Sequence, residues 1–154
     1  MKKIEIIEIP IFKLNKNSNK IEIKSTVSSM DHAKELKNIN EILYNDRNFM
    51  LELAEEQGYF LKYAKTEFCC DKELVIKALT KKDFNNERGV YKFWDSICEN
   101  LRNDKDVILK AVSSYSMRNI ESYFPTELFF DKKFISKCVK VGPHCLEFVW
   151  SEFK

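Results

Sequence analysis

The chain has 154 residues, 44% of them hydrophobic and 32% charged, which suits one domain with a real core and excludes a disordered polypeptide. Its 26 basic and 24 acidic residues leave a net charge of +2, which argues neither for nor against nucleic acid. Three Gly and three Pro fit a mainly helical chain, and no apolar run approaches the length that crosses a membrane.

The chain opens with MKKIEIIEIPIF. Glu5 and Glu8 interrupt the apolar run, so it does not read as a signal peptide. IEIIEIPIFKL and KIEIK alternate apolar with charged residues, and the turn-rich LNKNSNK lies between them. The pattern predicts a β-hairpin over 2–25, with strands near 3–13 and 20–25, and Pro10 puts the first strand at an edge. A lone hairpin is marginal in water, so this one is expected to cap the helices, pair with another copy or meet a partner's strand. Residues 30–43 read as a helix, with Leu36, Ile39 and Leu43 on one face, and form a half unit ahead of the repeats.

From Asp46 a motif recurs four times: DRNFMLELA, DKELVIKAL at Asp71, DKDVILKAV at Asp104 and DKKFISKCV at Asp131. Apolar or small residues follow each Asp at three, four, seven and eight positions, which is one stripe of a helix with about 3.6 residues per turn. The Asp stands where an N-cap belongs, and its loss is expected to cost about 1 kcal/mol. An apolar residue always lies three positions before the next Asp or the one that heads the motif, as Leu43, Phe68, Leu101 and Leu128. These end second helices read in LKYAKTEF, FWDSICENL, IESYFPTEL and, in the last unit, LEFVWSEF. The predicted fold is therefore mainly α, a single domain of about four helix-pair repeats at 46–68, 71–101, 104–128 and 131–153, with the N-terminal β-hairpin in front. Gly58 breaks the first unit between its helices, Gly142-Pro143 marks the turn of the fourth, and Pro125 makes the second helix of the third unit short or kinked. The chain closes on the aromatic FVWSEFK, which points to burial by the chain itself or by a partner.

The residue after each Asp is basic (Arg47, Lys72, Lys105, Lys132), where a cation opposes the helix dipole. Acids (Glu41, Glu67, Glu99, Glu127) lie near the end of the preceding helix. The expectation is a cation–carboxylate pair across each joint, such as Glu67 with Lys72, worth about 0–1 kcal/mol if exposed.

The pattern D-[KR]-x-x-[VIL]-x-x-A-[VL], then Gly, then L-x-[YF]-[AV]-x-x-x-[LF], resembles the bacterial repeat family catalogued as domain of unknown function 4116. LAEEQGYFLKYAKTEFCCDKELVIKAL carries it best, CVKVGPHCLEFVWSEF is a second match, and the resemblance covers residues 44–154. The second and third units lack the Gly, and the second carries an insertion. The family implies a helical-repeat fold and neither a reaction nor a substrate.

No GxxxxGK[ST], GxGxxG, HExxH or GxSxG motif occurs. His144-Cys145 are chain neighbours, which is a poor geometry for a nucleophile and its base, and with Cys138 they lack zinc spacing. No cofactor or metal is implied, and enzymatic activity is the weakest class. The five cysteines (69, 70, 98, 138, 145) are an odd count without CxxC spacing, and Cys98 and Cys138, on the apolar helical stripes, read as core residues in a reducing cytoplasm. The expected function is non-enzymatic recognition of another macromolecule, most readily a protein, as an inhibitor, immunity-type protein or effector; the high Lys, Asn and Ile usage fits a bacterial or phage genome. The candidate contact residues lie in the insertion KKDFNNERGVYK at 81–92, namely Asn86, Arg88, Tyr91 and Lys92. The alternative is an RNA- or DNA-binding repeat protein, although most aromatics occupy the apolar stripes and the basic residues are interleaved with acids.

Overall fold

The structure is a computed structural model, and it describes residues 18–20, 23, 36, 38, 41–56, 58–80, 93–114 and 124–142. The described part is mainly helical. Its α-helices are α1 (Glu41–Tyr44), α2 (Arg47–Glu56), α3 (Thr66–Cys69), α4 (Lys72–Ala78), α5 (Glu99–Arg102), α6 (Lys105–Ser114) and α7 (Lys132–Val141). Two 3-10 helices, Gly58–Tyr63 and Thr126–Phe130, accompany them, and residues 93–96 are also helical.

Each long helix begins one residue after a motif Asp, and each motif Asp is an N-cap. Asp46 accepts from the N–H of Asn48 and Phe49 at 3.0 and 3.2 Å, and Asp71 from Glu73 and Leu74 at the same two distances. Asp104 accepts from Asp106 and Val107 at 2.9 and 3.2 Å, and Asp131 from Phe134 at 3.0 Å. Two of the orphan donors of a helix start are thereby satisfied at three of the four positions. The Asp N–H turns the other way, donating to the carbonyl of the apolar residue three places back: Leu43, Phe68, Leu101 and Leu128, at 3.1 to 3.2 Å. That bond explains the constant three-residue spacing, since it closes the preceding helix while the side chain opens the next.

The predicted stripes are the core. All four stripe residues of α2, of α4 with Leu79, and of α6 are buried, from Phe49 to Val112. On α7, Phe134 and Cys138 are buried while Ile135 and Val139 are partly so. Phe60, Leu61, Phe68, Phe93, Trp94 and Leu101 complete the core from the second halves of the units. Burying such side chains stabilises by about 1.5–3 kcal/mol each before chain entropy is subtracted. The long helices pack in chain order, α2 on α4, α4 on α6 and α6 on α7.

The second helices differ from expectation. LKYAKTEF is not one helix: the 3-10 turn Gly58–Tyr63 ends, and α3 restarts after Lys65, whose φ of −65° and ψ of 150° are extended. Cys98 breaks FWDSICENL in the same way with ψ 143°, and Pro125 precedes Thr126–Phe130 with ψ 130°. All three breaks fall six residues before the next Asp. Pro125 therefore occupies a site whose backbone every described unit adopts, with the φ near −65° that its ring imposes. Gly58 is likewise not a left-handed cap, because no described glycine has positive φ. It is buried, and a Cβ there would overlap the Ala78 carbonyl oxygen, so it permits backbone contact between the 3-10 turn and the end of α4.

The expected strand near 20–25 is helical at both of its described residues, Lys20 and Ile23. The Ile23 N–H donates to the Asn19 carbonyl at 3.0 Å, the same first helical bond that joins Met50 to Asp46 and Val75 to Asp71. Five alternating residues identify a strand poorly, since one buried side chain, here Ile23 with no exposure, satisfies a helical turn as well. The rest of the expected hairpin, the 81–92 insertion and the second half of the fourth unit lie outside the described residues.

Candidate interaction surface

Among the described residues the joints carry a row of partly exposed charged side chains. Each capping Asp divides its two oxygens between two tasks. One caps its own helix; Oδ2 meets the cation that follows the previous cap. Lys20 lies 3.7 Å from Asp46, Arg47 Nε 2.6 Å from Asp71, Lys72 2.9 Å from Asp104 and Lys105 2.6 Å from Asp131. A second acid joins three of these contacts: Glu52 at 4.0 Å from Lys20, Glu73 at 2.6 Å from Arg47, and Asp106 at 2.8 Å from Lys72. Arg47 also reaches the other Asp71 oxygen with Nη2 at 3.2 Å, so its fork is bidentate.

The cations thus pair forward along the chain with the next cap. The expected pairing of Lys72 with Glu67 is not formed: Lys72 is held by Asp104 and Asp106, and Glu67 is exposed. The reason is geometric. A residue in the first turn of one long helix lies beside the first turn of the neighbouring long helix, because those helices pack side by side in chain order. The electrostatics follow. The hydrogen bond from Arg47 holds the Asp71 carboxyl below the usual carboxylate range, and that from Lys105 does the same for Asp131. Burial pushes Asp104 up, but Lys72 and the capping N–H groups of Val107 and Asp106 outweigh it and leave it lowered. Lys72 is correspondingly raised by Asp104 and Asp106.

Outward positions two, six and nine residues after the caps carry different charges from unit to unit. They are Asn48, Glu52 and Glu55; Glu73, Lys77 and Thr80; Asp106, Lys110 and Ser113; and Lys133, Lys137 and Lys140. Glu55 is paired with Lys77. All four lysines of α7, Lys132 and these three, are exposed, and among the described residues none of them makes an ion pair.

The joint residue before each cap is exposed in every case: Asn45, Cys70, Asn103 and Phe130. Phe130, at 76% exposure, is the large apolar one. Cys138 lies in the core as expected, and Cys98 does not. Cys69 and Cys138 are buried, and burial pushes the Cys69 thiol up. Cys70 and Cys98 are instead joined by a disulfide, with Cα atoms 5.0 Å apart. Cys98 lies at the backbone break rather than on a continuous helical stripe, and its N–H donates to the Cys69 carbonyl at 3.2 Å, which brings it to the joint. Among the described residues no three His, Cys, Asp or Glu side chains gather as a metal site, and no helix is long and apolar enough to cross a membrane. The expected contact residues Asn86, Arg88, Tyr91 and Lys92, and the pair His144-Cys145, lie outside the described residues.

Residues 46–88 match the family model described as Domain of unknown function (DUF4116). This is the stretch that carries the family's pattern best. No curated protein and no solved structure matches the chain.

Proposed function

We propose that the chain is a non-enzymatic binding module: stacked helix-pair units that present an extended surface to a protein partner. The observation that carries this reading is the contrast between joint and outward face. Caps, breaks and forward ion pairs recur with nearly constant geometry, while the outward charges change from unit to unit. A scaffold that repeats its internal contacts and varies its exposed ones suits recognition of one extended partner. Enzymatic chemistry has no comparable support, because the pairs at the joints are engaged in capping and in each other. The 81–92 insertion, with Arg88 and Tyr91, is a proposed second contact region, and the proposed role is that of an inhibitor, immunity-type protein or effector.

The described residues ahead of Asp46 echo the pattern of the four Asp motifs. Asn19 stands 27 residues before Asp46, within the spread of the other steps (25, 33 and 27). It is followed by a basic residue that pairs forward with Asp46, and the apolar position four after it, Ile23, is buried. Leu36 and Leu43 take the second-helix positions, the first buried and the second partly so. α1 begins five residues before its Asp, as α3, α5 and Thr126–Phe130 do. In this reading Asn19 stands where the other motifs have Asp, and Asn is an equally good N-cap without a charge.

The second reading, nucleic-acid binding, is favoured by one feature, the unpaired lysines of α7. The test is a pull-down from native extract with and without nuclease, followed by binding of the purified candidate. A protein retained after nuclease and bound by the pure chain supports the protein reading. Loss of all captured material on nuclease treatment, with affinity falling steeply in salt, contradicts it in favour of nucleic acid.

A further inference from the structure

Helix α7, Lys132–Val141, carries four lysines and no acid. Lys133, Lys137 and Lys140 are separated by four and three residues, so they project from one side of the helix, opposite the buried Phe134 and Cys138. All three are exposed, and none has an ion-pair partner among the described residues. Like charges at this spacing destabilise a helix by a few tenths of a kcal/mol per pair. The equivalent positions of the first unit, Asn48, Glu52 and Glu55, hold two acids, which Lys20 and Lys77 engage. Among the described residues the lysine side of α7 is therefore where like charge is concentrated without an ion-pair partner.

We infer that this face docks a short acidic segment of a protein partner, with Asp or Glu at helical spacing opposite Lys133, Lys137 and Lys140. The inference rests on the protein-binding reading above and names the chemistry of the partner. Two observations favour a short acidic segment over a nucleic acid. The stripe spans seven residues, about 10 Å at about 1.5 Å per residue, enough for roughly two turns of a facing helix. At its N-terminal end it also adjoins the Asp131 joint, one of a row in which among the described residues four cations (Lys20, Arg47, Lys72, Lys105) meet seven carboxylates. A uniformly charged phosphate backbone running beyond the stripe would meet that acidic edge; a segment with a few carboxylates and neutral flanks would not.

The experiment uses the full chain and two labelled probes of equal length. One is a blocked helical peptide with Glu at positions i, i+4 and i+7; the other is oligothymidylate. Binding is read by fluorescence anisotropy at low and at physiological salt. The expected result is that the peptide binds more tightly than the oligonucleotide, and that K133Q/K137Q/K140Q weakens it by about tenfold or more. K133E/K137E/K140E should lose the Glu peptide and gain the same peptide carrying Lys. Removing like charges from exposed positions leaves the fold intact, which far-UV circular dichroism checks. Tighter binding of oligothymidylate, unchanged affinity in the neutralised variant, or no binding of the Glu peptide by the natural chain overturns the inference. If a purified partner from the pull-down binds the neutralised variant unchanged, the protein-binding reading stands and the α7 face falls alone.

Discussion

Asp71 is the joint where a substitution separates the two tasks of the capping carboxylate. Its Oδ1 caps α4 through the N–H groups of Glu73 and Leu74 at 3.0 and 3.2 Å, while Arg47 gives its shorter bond to Oδ2 at 2.6 Å and reaches Oδ1 at 3.2 Å. The Asp71 side chain is 22% exposed and that of Arg47 45%, so the pair is screened by solvent and weaker than the cap. The cap is worth about 1 kcal/mol. Asp71→Asn keeps a capping oxygen and loses the charge, so it should destabilise by about 0.5–1 kcal/mol. Asp71→Ala loses both and should cost about 1.5–2 kcal/mol, a fall in Tm of about 4–7 °C for a domain of this size. Urea unfolding of Arg47→Ala, Asp71→Ala and the double variant measures the coupling directly. A coupling indistinguishable from zero would refute the forward pair. Equal losses from Asp71→Asn and Asp71→Ala would refute the division of the two oxygens.

Three further outcomes follow. The carboxyls of Asp71, Asp104 and Asp131 are lowered in the folded state, so the stability they add is present above about pH 4 and is lost as pH falls through their folded values; the urea-midpoint gap between the natural chain and Asp71→Asn should therefore close below about pH 4, and a gap that persists in strong acid contradicts the linkage. Gly58→Ala drives a methyl into the Ala78 carbonyl and should cost about 1–3 kcal/mol in a thermal melt, whereas an unchanged melt removes that backbone contact. The Cys70–Cys98 bond closes 28 residues of chain, so reductant should lower stability by up to about 3–4 kcal/mol and Cys70→Ser should abolish the difference, while a natural chain equally stable with and without reductant contradicts the bond.

The apolar stripes and the Asp caps were legible because each is a local rule: a period near 3.6 and a side chain that reaches its own helix start. The basic residue after each Asp was legible as an anomaly, since it opposes the helix dipole, but its partner was not. Lys72 meets Asp104 across 32 positions of sequence, and only the side-by-side packing of α4 and α6 brings them together. The break six residues before each cap carries no shared residue type. Lys65, Cys98 and Pro125 adopt it alike, and only Pro announces it in sequence. The stretch around Lys20 misled for the opposite reason: a short alternation is also one turn of helix with one buried Ile. The lysine side of α7 was visible in the letters KKFISKCVKV, yet its meaning depends on which lysines lack a carboxylate nearby, and that is a property of the packed units.

The most direct test of a single joint used at every step from Asn19 to Asp131 is backbone NMR of the full chain. The account predicts helical secondary shifts at Lys20 and Ile23, with an exchange-protected Ile23 amide bonded to the Asn19 carbonyl. It further predicts that Lys20→Ala shifts the Asp46, Asn48 and Phe49 amides. Strand-like shifts at Lys20 to Ile23, with cross-strand contacts to the first residues of the chain, would contradict it and restore the hairpin.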